Sequence, residues 1–442
     1  MTVEVLEDMW SEALGNRRDV YVYLPPGYHP ARGPYPVLYL HDGQHMFASA
    51  GPAPSWRLDE TLDDLISRGS VPPLVAVGVA NAGADRGAEY SHEIPFPRDP
   101  ASSPARGRLY ETFLIDELIP LVRQRYSVTS DPAATAVMGS SMGGLVSYHL
   151  AFGRPEVFGL AAIMSPFFVS IDPVTLAKTP VHRIFDRRGP DRIWIDMGGM
   201  EGLITVEPVL ELVQHLVTEL GYTPDDDLRY RYDPEGRHHE DVWAERARSA
   251  VLHLFGAGGP AEPTVAPGPD GNLALGIGQL IDASPLGRRA DGCTYSILTA
   301  QVDWRPERLL KRVGGAFLAA AAAGDGEIVA RVGSHTVTTG VIVTSGEAQP
   351  ALDVTVVVPL DTPLDASVSF SGLPTQHIRP GLHHGHWPLP RGVGLDGTVG
   401  LGWRGAGLDA NGVPVRHPLR HDAARRIVVR VERWTNPDHG GL

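Results

Sequence analysis

Hydrophobic and polar residues follow two alternating patterns over the first 256 positions. Short apolar runs closed by turn residues, such as "YPVLYLHDG" and "PLVAVGVAN", predict buried β-strands. Between them, "SWRLDETLDDLISRG", "RLYETFLIDELIPLVRQRY" and "EDVWAERARSAVLHLF" place apolar residues at helical spacing, which predicts amphipathic helices. This regular alternation predicts an α/β fold in which helices cover both faces of a mostly parallel sheet.

The pattern changes near residue 256. The segment 257–271 is rich in Gly, Pro and Ala, lacks apolar periodicity and is interpreted as a linker. Beyond it, β-branched runs such as "LDVTVVVPL" predict strands, whereas "PERLLKRVGGAFLAAAAAG" predicts one Ala-rich helix. The chain is therefore expected to have an α/β domain over 1–256 and a β-rich accessory domain over 272–442.

Length and charge restrict the classes of function. A chain of 442 residues exceeds one ordinary domain, which agrees with the proposed division. The formal net charge of −14 argues against a nucleic-acid partner, because phosphate binding needs a basic surface. The single cysteine, Cys293, excludes an intrachain disulfide. No apolar run approaches a membrane span, and the N-terminus lacks the apolar core of a secretory signal, so we expect a cytoplasmic protein without a membrane partner.

The stretch "AVMGSSMGGLVSYHL" carries the strongest candidate chemistry. A strand that turns sharply into a helix holds one residue at the crest, and side chains two positions away would collide with the strand or the helix. Only Ser141 has glycines at both of these positions, Gly139 and Gly143, whereas Ser140 has methionines there. The spacing therefore predicts that Ser141 is a nucleophile and that Ser140 ends the strand.

A serine hydroxyl needs a histidine base, and the histidine needs an acid to orient it. His238 and His239 follow the last predicted strand, in a loop that reaches the carboxyl edge of the sheet. Two acids are candidates for the third position: Asp196 within the strand "IWIDMGG" and Glu201 in the turn beyond it. Because such sites are built from residues past the strand ends, Glu201 is favoured and Asp196 is the alternative.

Together these residues resemble the putative-esterase group of α/β-hydrolases. That group includes esterase D, enterochelin-type esterases, feruloyl and acetylxylan esterases of the first carbohydrate-esterase family, and mycolyltransferases. The resemblance covers roughly residues 15–256 and implies an α/β-hydrolase fold and acyl-enzyme chemistry with no metal and no organic cofactor. The segments that carry it are "VYLPPGY", "YPVLYLHDGQHMF", Trp56, "VGVANAGADRGAEYS", "GSSMGG", "DMGGMEG" and "EGRHHEDVW".

The resemblance assigns roles residue by residue. Ser141 matches the nucleophile of the group. The histidine of the group stands five residues before a tryptophan at the head of the last helix, which selects His238 before Trp243 and not His239. The acid of the group usually lies in a G-T-x-D/E pattern; here the threonine is missing, but the acid is present as Glu201.

The resemblance also implies groups around the ester. The two oxyanion amides map to the backbone N–H groups of Gln44 and Met142. Trp56 is either a packing residue at a helix start or a wall of the substrate cleft. Arg86 either pairs with Glu89 across a loop or contacts the substrate, and the ion pair is favoured.

The leading hypothesis is a serine carboxylester hydrolase that acts on a small to medium ester, such as a siderophore lactone or an acylated sugar. Acyl transfer of the mycolyltransferase type and a non-catalytic binding protein on the same fold are the alternatives. In the second domain, His383, His384 and His386 are interpreted as exposed loop residues in preference to a zinc site. That domain is expected to hold bulky substrate, to cover the cleft or to make a homo-oligomer contact.

Overall fold

The structure is a computed structural model, and it describes most of the chain. None of the described helices is both long and apolar enough to cross a membrane. The described residues are 2–48, 54–92, 104–171, 178–201, 203–233, 236–256, 264–265, 273–277, 280–282, 286–298, 302–313, 317–332, 335–345, 351–364, 366, 368–388, 393–401, 405–421 and 424–435.

The N-terminal part of the chain, up to residue 256, is built around one large β-sheet. Its order begins β1-β2-β4-β3-β5-β6-β9-β10. The first two strands pair antiparallel, and the strands from β3 to β10 in this sheet run parallel to one another. A separate hairpin consists of β7 and β8. The bounds are β1 (Thr2–Ser11), β2 (Asn16–Leu24), β3 (Val37–His41), β4 (Val75–Val79), β5 (Thr135–Ser140), β6 (Leu160–Met164), β7 (Val169–Ile171), β8 (Lys178–Pro180), β9 (Arg192–Gly198) and β10 (Leu228–Asp233).

Helices cover both faces of this sheet, as the sequence predicts. Alternate strand residues point to opposite faces, so Val37 and Tyr39 join one core while Leu38 and Leu40 join the other. The first core is covered by α3 to α6, and the second by α1 and α7. A π-helical segment, Phe113–Leu118, joins α3 to α4. The helices are α1 (Leu58–Ser67), α2 (Arg86–Glu89), α3 (Gly107–Thr112), α4 (Ile119–Arg125), α5 (Met142–Gly153), α6 (Leu203–Thr218) and α7 (Glu240–Phe255).

The strand order reverses at the neighbouring strands β3 and β5. The chain leaves β3 toward β4 on one side and leaves β5 toward β6 on the other. Helices α1 and α5, which follow these strands, lie on opposite faces of the sheet. Ligand sites in open α/β sheets lie at the carboxyl ends of strands at such a switch point. Ser141 directly follows β5, and the turn with Gln44 follows β3.

The chain after residue 256 is rich in β-strands, as predicted. Three of its strands, Thr264–Val265, Leu286–Arg288 and Thr294–Ser296, extend the large sheet beyond β10. The domain bounds themselves stay a prediction, and the proposed linker 257–271 lies outside the described residues except for Thr264–Val265. Other strands form separate sheets, with the bounds Leu273–Gly276, Leu280–Asp282, Val302–Arg305, Leu310–Val313, Phe317–Ala320, Gly324–Val332, His335–Thr344, Ala351–Val357, Val368–Phe370, Leu373–Pro374, Gln376–Arg379, Leu382–Pro388, Val393–Leu395, Val399–Leu401, Gly405–Leu408, Leu419–His421, Arg425–Arg430 and Arg433–Trp434.

The predicted Ala-rich helix is wrong. Its residues form two antiparallel strands, Leu310–Val313 and Phe317–Ala320. Alanine and leucine are good helix formers, but helix propensity is a small free-energy preference that tertiary packing can override. Here Leu310 and Leu318 are buried in a hydrophobic cluster of the C-terminal region, and the paired strands place them in it.

Candidate active site

Ser141 stands at the crest between β5 and α5 with φ 58° and ψ −123°. A non-glycine residue in such a conformation carries strain of about 1–3 kcal/mol, and it persists only where the surroundings impose it. The Ser141 N–H donates to the Met164 carbonyl at 3.0 Å, while the Ser141 carbonyl accepts from the N–H groups of Leu145 and Phe167 at 3.1 Å each. The backbone of Ser141 is therefore held from both sides.

The flanking glycines allow this turn to close. A Cβ atom on Gly139 would lie 2.7 Å from the carbonyl oxygen of Gly143, and one on Gly144 would lie 2.8 Å from the carbonyl oxygen of Met164. Real Cβ atoms do not approach so closely, so a larger residue would force the strand end and the helix start apart. The glycine spacing seen in the sequence reflects this contact. Ser140 is buried and leads into the turn.

His238 connects Ser141 to an acid. Its Nε2 lies 2.9 Å from Ser141 Oγ, and its Nδ1 lies 2.6 Å from Glu201 Oε2. A neutral imidazole donates from one nitrogen and accepts at the other, so a proton on Nδ1 leaves Nε2 free to accept from the serine hydroxyl. Trp243 meets the His238 ring edge-on, with centroids 4.8 Å apart. The structure thus brings the three residues predicted for the triad into one hydrogen-bonded line.

The neighbouring histidine is used differently. His239 is the residue before α7, where its Nδ1 contacts Asp241 Oδ1 at 2.6 Å. The loop before it is fixed to the acid turn, because the Met200 N–H donates to the Gly236 carbonyl at 3.0 Å. A Cβ atom on Gly198 would lie 2.4 Å from that same oxygen. The loop 236–239, which carries His238 (the base loop), and the turn Gly199–Glu201 (the acid turn) are therefore in backbone contact.

Glu201 ends a 3₁₀ turn just beyond β9, and its side chain is only 2% exposed. Its Oε1 accepts from the Gly198 N–H at 3.0 Å and from Ser165 Oγ at 2.6 Å. Burial raises the pKa of Glu201, but the charge and hydrogen bond of His238, helped by Arg246 and Ser165, hold the pKa below its usual value. Glu201 is thus an ionised, fixed partner for His238.

Asp196, the alternative acid, lies within β9 and is fully buried. Its carboxylate accepts from Trp194 Nε1 at 2.8 Å and pairs with Arg246 Nη1 at 3.1 Å. Burial raises the pKa of Asp196, and the opposing charge of Arg246 does not fully cancel this effect. These contacts give Asp196 partners behind the site, whereas it is Glu201 that contacts His238.

The sequence reasoning missed Ser165 and Arg246, which lie behind Glu201. For Arg246 the sequence contains a signal, because this residue falls on the apolar stripe of α7. In the structure only 1% of its side chain is exposed. A charged residue on a buried helix face needs a charged partner. Ser165 carried no such signal, because a serine at a strand end is common.

The two predicted oxyanion amides lie on neighbouring turns. Met142 is the first residue of α5, so its N–H has no carbonyl one turn back to which it can bond. Gln44 lies in the 3₁₀ turn Gly43–His45, and its side-chain oxygen accepts from the Asn81 N–H at 3.1 Å. Asp42 Oδ2 would lie 3.1 Å from a Cβ on Gly143, so this turn packs against the first turn of α5.

Trp56 is only 1% exposed and packs against Trp243, with ring centroids 6.0 Å apart. Its N–H donates to the His45 carbonyl at 2.8 Å. This burial favours the packing alternative for Trp56 over a wall of the substrate cleft. Through Trp243, Trp56 supports the residue that lies against His238.

The expected Arg86–Glu89 ion pair is wrong. Arg86 instead forms a bidentate pair with Asp42, at 2.7 and 2.8 Å. Glu89 is fully buried and pairs with Arg18 of β2 at 3.0 Å. Although the two residues lie three apart in one short helix, each has its own partner. Arg86 neutralises the carboxylate that follows β3 and lowers its pKa against the effect of burial.

The C-terminal region also approaches this edge of the sheet. Its strand Val393–Leu395 lies beside the turn Gly199–Glu201, with Cα atoms within 8 Å. The histidines expected in an exposed loop lie instead on the strand Leu382–Pro388, and His383 is buried. Among the residues that the structure describes, no group of three or more His, Cys, Asp or Glu side chains is arranged to hold a metal ion.

Comparison with known proteins identifies the family. Residues 11–252 match the profile of the family described as "Putative esterase", which is more than half of the chain. The chain belongs to this esterase family. It is accordingly a carboxylic ester hydrolase. The match runs from β2 into α7 and includes Ser141, Glu201 and His238.

Individual proteins and solved structures are similar to this esterase at low identity. The uncharacterized protein YbbA of Bacillus subtilis is 25% identical over 254 residues, which cover 55% of this chain and 94% of that protein. An endo-1,4-beta-xylanase/feruloyl esterase of Xylanibacter ruminicola is 29% identical over 160 residues, 35% of this chain and 20% of that protein. The crystal structure of the enterobactin esterase FES from Shigella flexneri gives a TM-score of 0.44 at 19% identity, covering 57% of this chain and 59% of that one.

Proposed function

We propose that this esterase cleaves its substrate through a covalent acyl-enzyme on Ser141, with His238 as general base and Glu201 as the acid that orients it. The observation that carries the proposal is the unbroken line from Glu201 Oε2 through both ring nitrogens of His238 to Ser141 Oγ, with contacts of 2.6 and 2.9 Å. Nucleophile, base and orienting acid within hydrogen-bond reach of one another are the requirement for serine activation.

In the first step, Ser141 Oγ attacks the ester carbonyl carbon while His238 Nε2 takes the hydroxyl proton. The buried carboxylate of Glu201 stabilises the imidazolium that forms. The carbonyl oxygen gains negative charge and accepts hydrogen bonds from the N–H groups of Gln44 and Met142. As the intermediate collapses, the ester C–O bond breaks, and His238 returns the proton to the leaving alcohol.

In the second step, water attacks the acyl group and gives its proton to His238. The carboxylic acid leaves, and the proton on Nε2 returns to Ser141 Oγ. We propose a small to medium ester as the substrate class, such as a siderophore lactone or an acylated sugar. One similar protein carries feruloyl esterase in its name, which agrees with an ester of a carbohydrate or an aromatic acid.

The decisive experiment compares two adjacent serines. Replacement of Ser141 with Ala removes the nucleophile and is expected to lower kcat for p-nitrophenyl acetate by about 10³- to 10⁶-fold. Ser140→Ala changes the buried neighbour and is the matched control, with activity expected within a few-fold of wild type. A fluorophosphonate probe should label the wild type and Ser140→Ala but not Ser141→Ala. Equal hydrolysis by wild type and Ser141→Ala would overturn the proposal.

A further inference from the structure

Ser165 lies directly after β6, under the catalytic acid turn, and is 1% exposed. Its φ of +38° is unusual for serine, and the next residue is a proline. Residues before proline prefer an extended backbone, so this conformation is strained. The fold retains it because the Ser165 N–H donates to the backbone carbonyl of Asp196 at 3.0 Å.

The side-chain hydroxyl of Ser165 has three partners. Its Oγ lies 2.6 Å from Glu201 Oε1, 3.0 Å from Trp243 Nε1 and 2.9 Å from Arg246 Nη2. An indole and a guanidinium can only donate, so the hydroxyl accepts from both. Its single hydrogen is then directed at the Glu201 carboxylate, because an ionised carboxylate can only accept. Chemistry alone fixes the direction of each bond.

This hydroxyl also bridges a gap between two charges. Arg246 Nη2 lies 3.6 Å from Glu201 Oε1, too far for a hydrogen bond, while its Nη1 lies 3.1 Å from Asp196 Oδ1. One guanidinium thus faces two buried carboxylates and is closer to Asp196. The bond from Arg246 to Ser165 polarises the hydroxyl toward Glu201.

The same hydroxyl reaches the base through Trp243. The indole that donates to Ser165 meets the His238 ring edge-on at 4.8 Å. Ser165 therefore holds Glu201 directly, and it anchors the aromatic ring against which His238 rests.

We propose that Ser165 is a positioning residue of this esterase: its hydroxyl fixes Glu201 Oε1, so that Oε2 stays aimed at His238. The inference rests on the proposed roles of Glu201 and His238. It adds a residue outside the predicted triad, linked to Arg246 and Trp243, whose role is to keep the acid oriented and ionised.

Loss of the hydroxyl has a defined kinetic consequence. Glu201 Oε1 keeps only the Gly198 N–H, so the carboxylate rotates more freely and binds a proton more tightly. We expect kcat to fall by about 10- to 100-fold, as for a lost hydrogen bond to a charged group, with KM nearly unchanged. The enzyme is active only when the Glu201 carboxylate and His238 Nε2 both lack a proton. Because the carboxylate binds a proton more tightly without the Ser165 hydroxyl, the acid limb of the pH–activity profile should move to higher pH.

Two variants separate positioning from stability. Ser165→Ala and Ser165→Gly both remove the hydroxyl. Glycine adopts a positive φ without strain, so the two variants should differ in their free energy of unfolding. Ser249→Ala is the matched control: Ser249 is buried on α7, and its hydroxyl bonds to the Thr294 N–H at 3.1 Å, away from Glu201. Steady-state kinetics on p-nitrophenyl acetate from pH 4 to 9 and thermal unfolding are measured for all three variants.

If the proposal holds, Ser165→Ala and Ser165→Gly lose kcat equally and shift the acid limb equally, whatever their thermal stabilities, while Ser249→Ala keeps the wild-type profile. Activity that follows stability, or an unchanged profile in both Ser165 variants of an active enzyme, would overturn it. A wild type no more active than Ser141→Ala would instead contradict the proposed function, so the two failures are distinguishable.

Discussion

Two histidine–carboxylate pairs, one in the large sheet and one in the C-terminal strands, have nearly the same geometry. His238 Nδ1 lies 2.6 Å from Glu201, and His386 Nδ1 lies 2.8 Å from Asp353. Their surroundings differ: the side chain of Glu201 is 2% exposed, and that of Asp353 is 24% exposed. The second nitrogen of His238 also faces Ser141. The distance within such a pair therefore does not identify a site; the partners around it do.

The origin of each pair explains the difference. Asp353 and His386 lie directly opposite each other on two antiparallel strands, where cross-strand contact is automatic. His384 and Arg426 also approach Asp353, at 3.6 and 3.9 Å, and solvent screens all of them. The pair of Glu201 and His238 joins two turns 37 residues apart, and it is held by buried donors that only the folded sheet supplies.

The largest contrast is expected on removal of the two imidazoles. His238→Ala deletes the proposed base and should lower kcat for p-nitrophenyl acetate by about 10³- to 10⁶-fold. His386→Ala, its counterpart, deletes an imidazole that is 59% exposed and should leave kcat within a few-fold of wild type. Steady-state kinetics decide the comparison. A similar loss in both variants would mean that the surface pair also acts in the reaction.

The two carboxylates should differ next. Glu201→Gln keeps the shape but removes the charge that stabilises the imidazolium, so kcat should fall by about 10²- to 10⁴-fold with little change in KM. Asp353→Asn makes the same chemical change at the surface pair and should not alter either constant. Wild-type kcat in Glu201→Gln, accompanied by a loss in Asp196→Asn, would transfer the role of the acid to Asp196.

Much of the fold of the large sheet is predictable, because β3 and β4 are unbroken apolar runs and α1 has a clean apolar stripe. The same reasoning fails after residue 256. There the strand Phe317–Ala320 has the composition of a helix, and the strand Thr294–Ser296 is too short to show a period. These strands form because a neighbouring strand pairs with them, and no local pattern reports that pairing.

The site divides in the same way. The place of Ser141 in the candidate site is predictable because the close approach of strand and helix demands glycines at fixed spacing. The choice of His238 over His239 depends on the family resemblance, which places the histidine five residues before Trp243. Ser165 is not predictable, because its partner Arg246 lies 81 residues away and a serine in isolation gives no signal. Contacts within one turn can be predicted from residue spacing in the sequence. Contacts between elements far apart in the chain can be identified only from the folded structure.

The close contact between Gly198 and Gly236, beside Glu201, provides a third test. In Gly198→Ala the new Cβ would lie 2.4 Å from the Gly236 carbonyl oxygen and 2.5 Å from Glu201 Oε1. We expect the acid turn and the base loop to separate, lowering kcat by roughly 10- to 100-fold and stability by about 1–3 kcal/mol. Gly153→Ala is the control, since a Cβ there has no atom within 4 Å. Equal kcat in both variants would show that the turn and the loop need not touch.

The smallest effect is expected at the surface pair, in the pH dependence of stability. The hydrogen bond from His386, with nearby positive charges, holds the pKa of Asp353 below its usual value of 3.8. A carboxylate whose pKa is lowered on folding stabilises the folded state above its unfolded pKa, and this contribution disappears as pH falls through the folded pKa. Asp353→Asn should therefore be less stable than wild type at pH 6 by under about 1 kcal/mol, as for an exposed ion pair.

The urea midpoints of wild type and Asp353→Asn should accordingly converge as the pH is lowered toward 3. Glu201 has the same sign, because its pKa is also lowered despite burial. The Glu201 carboxylate and its partner Arg246 are buried, however, so Glu201→Gln should shift the midpoint at pH 6 further than Asp353→Asn does. A gap between wild type and Asp353→Asn that widens at low pH would contradict the sign. A larger shift from Asp353→Asn than from Glu201→Gln would contradict the view that burial, and not the distance within the pair, separates the two regions.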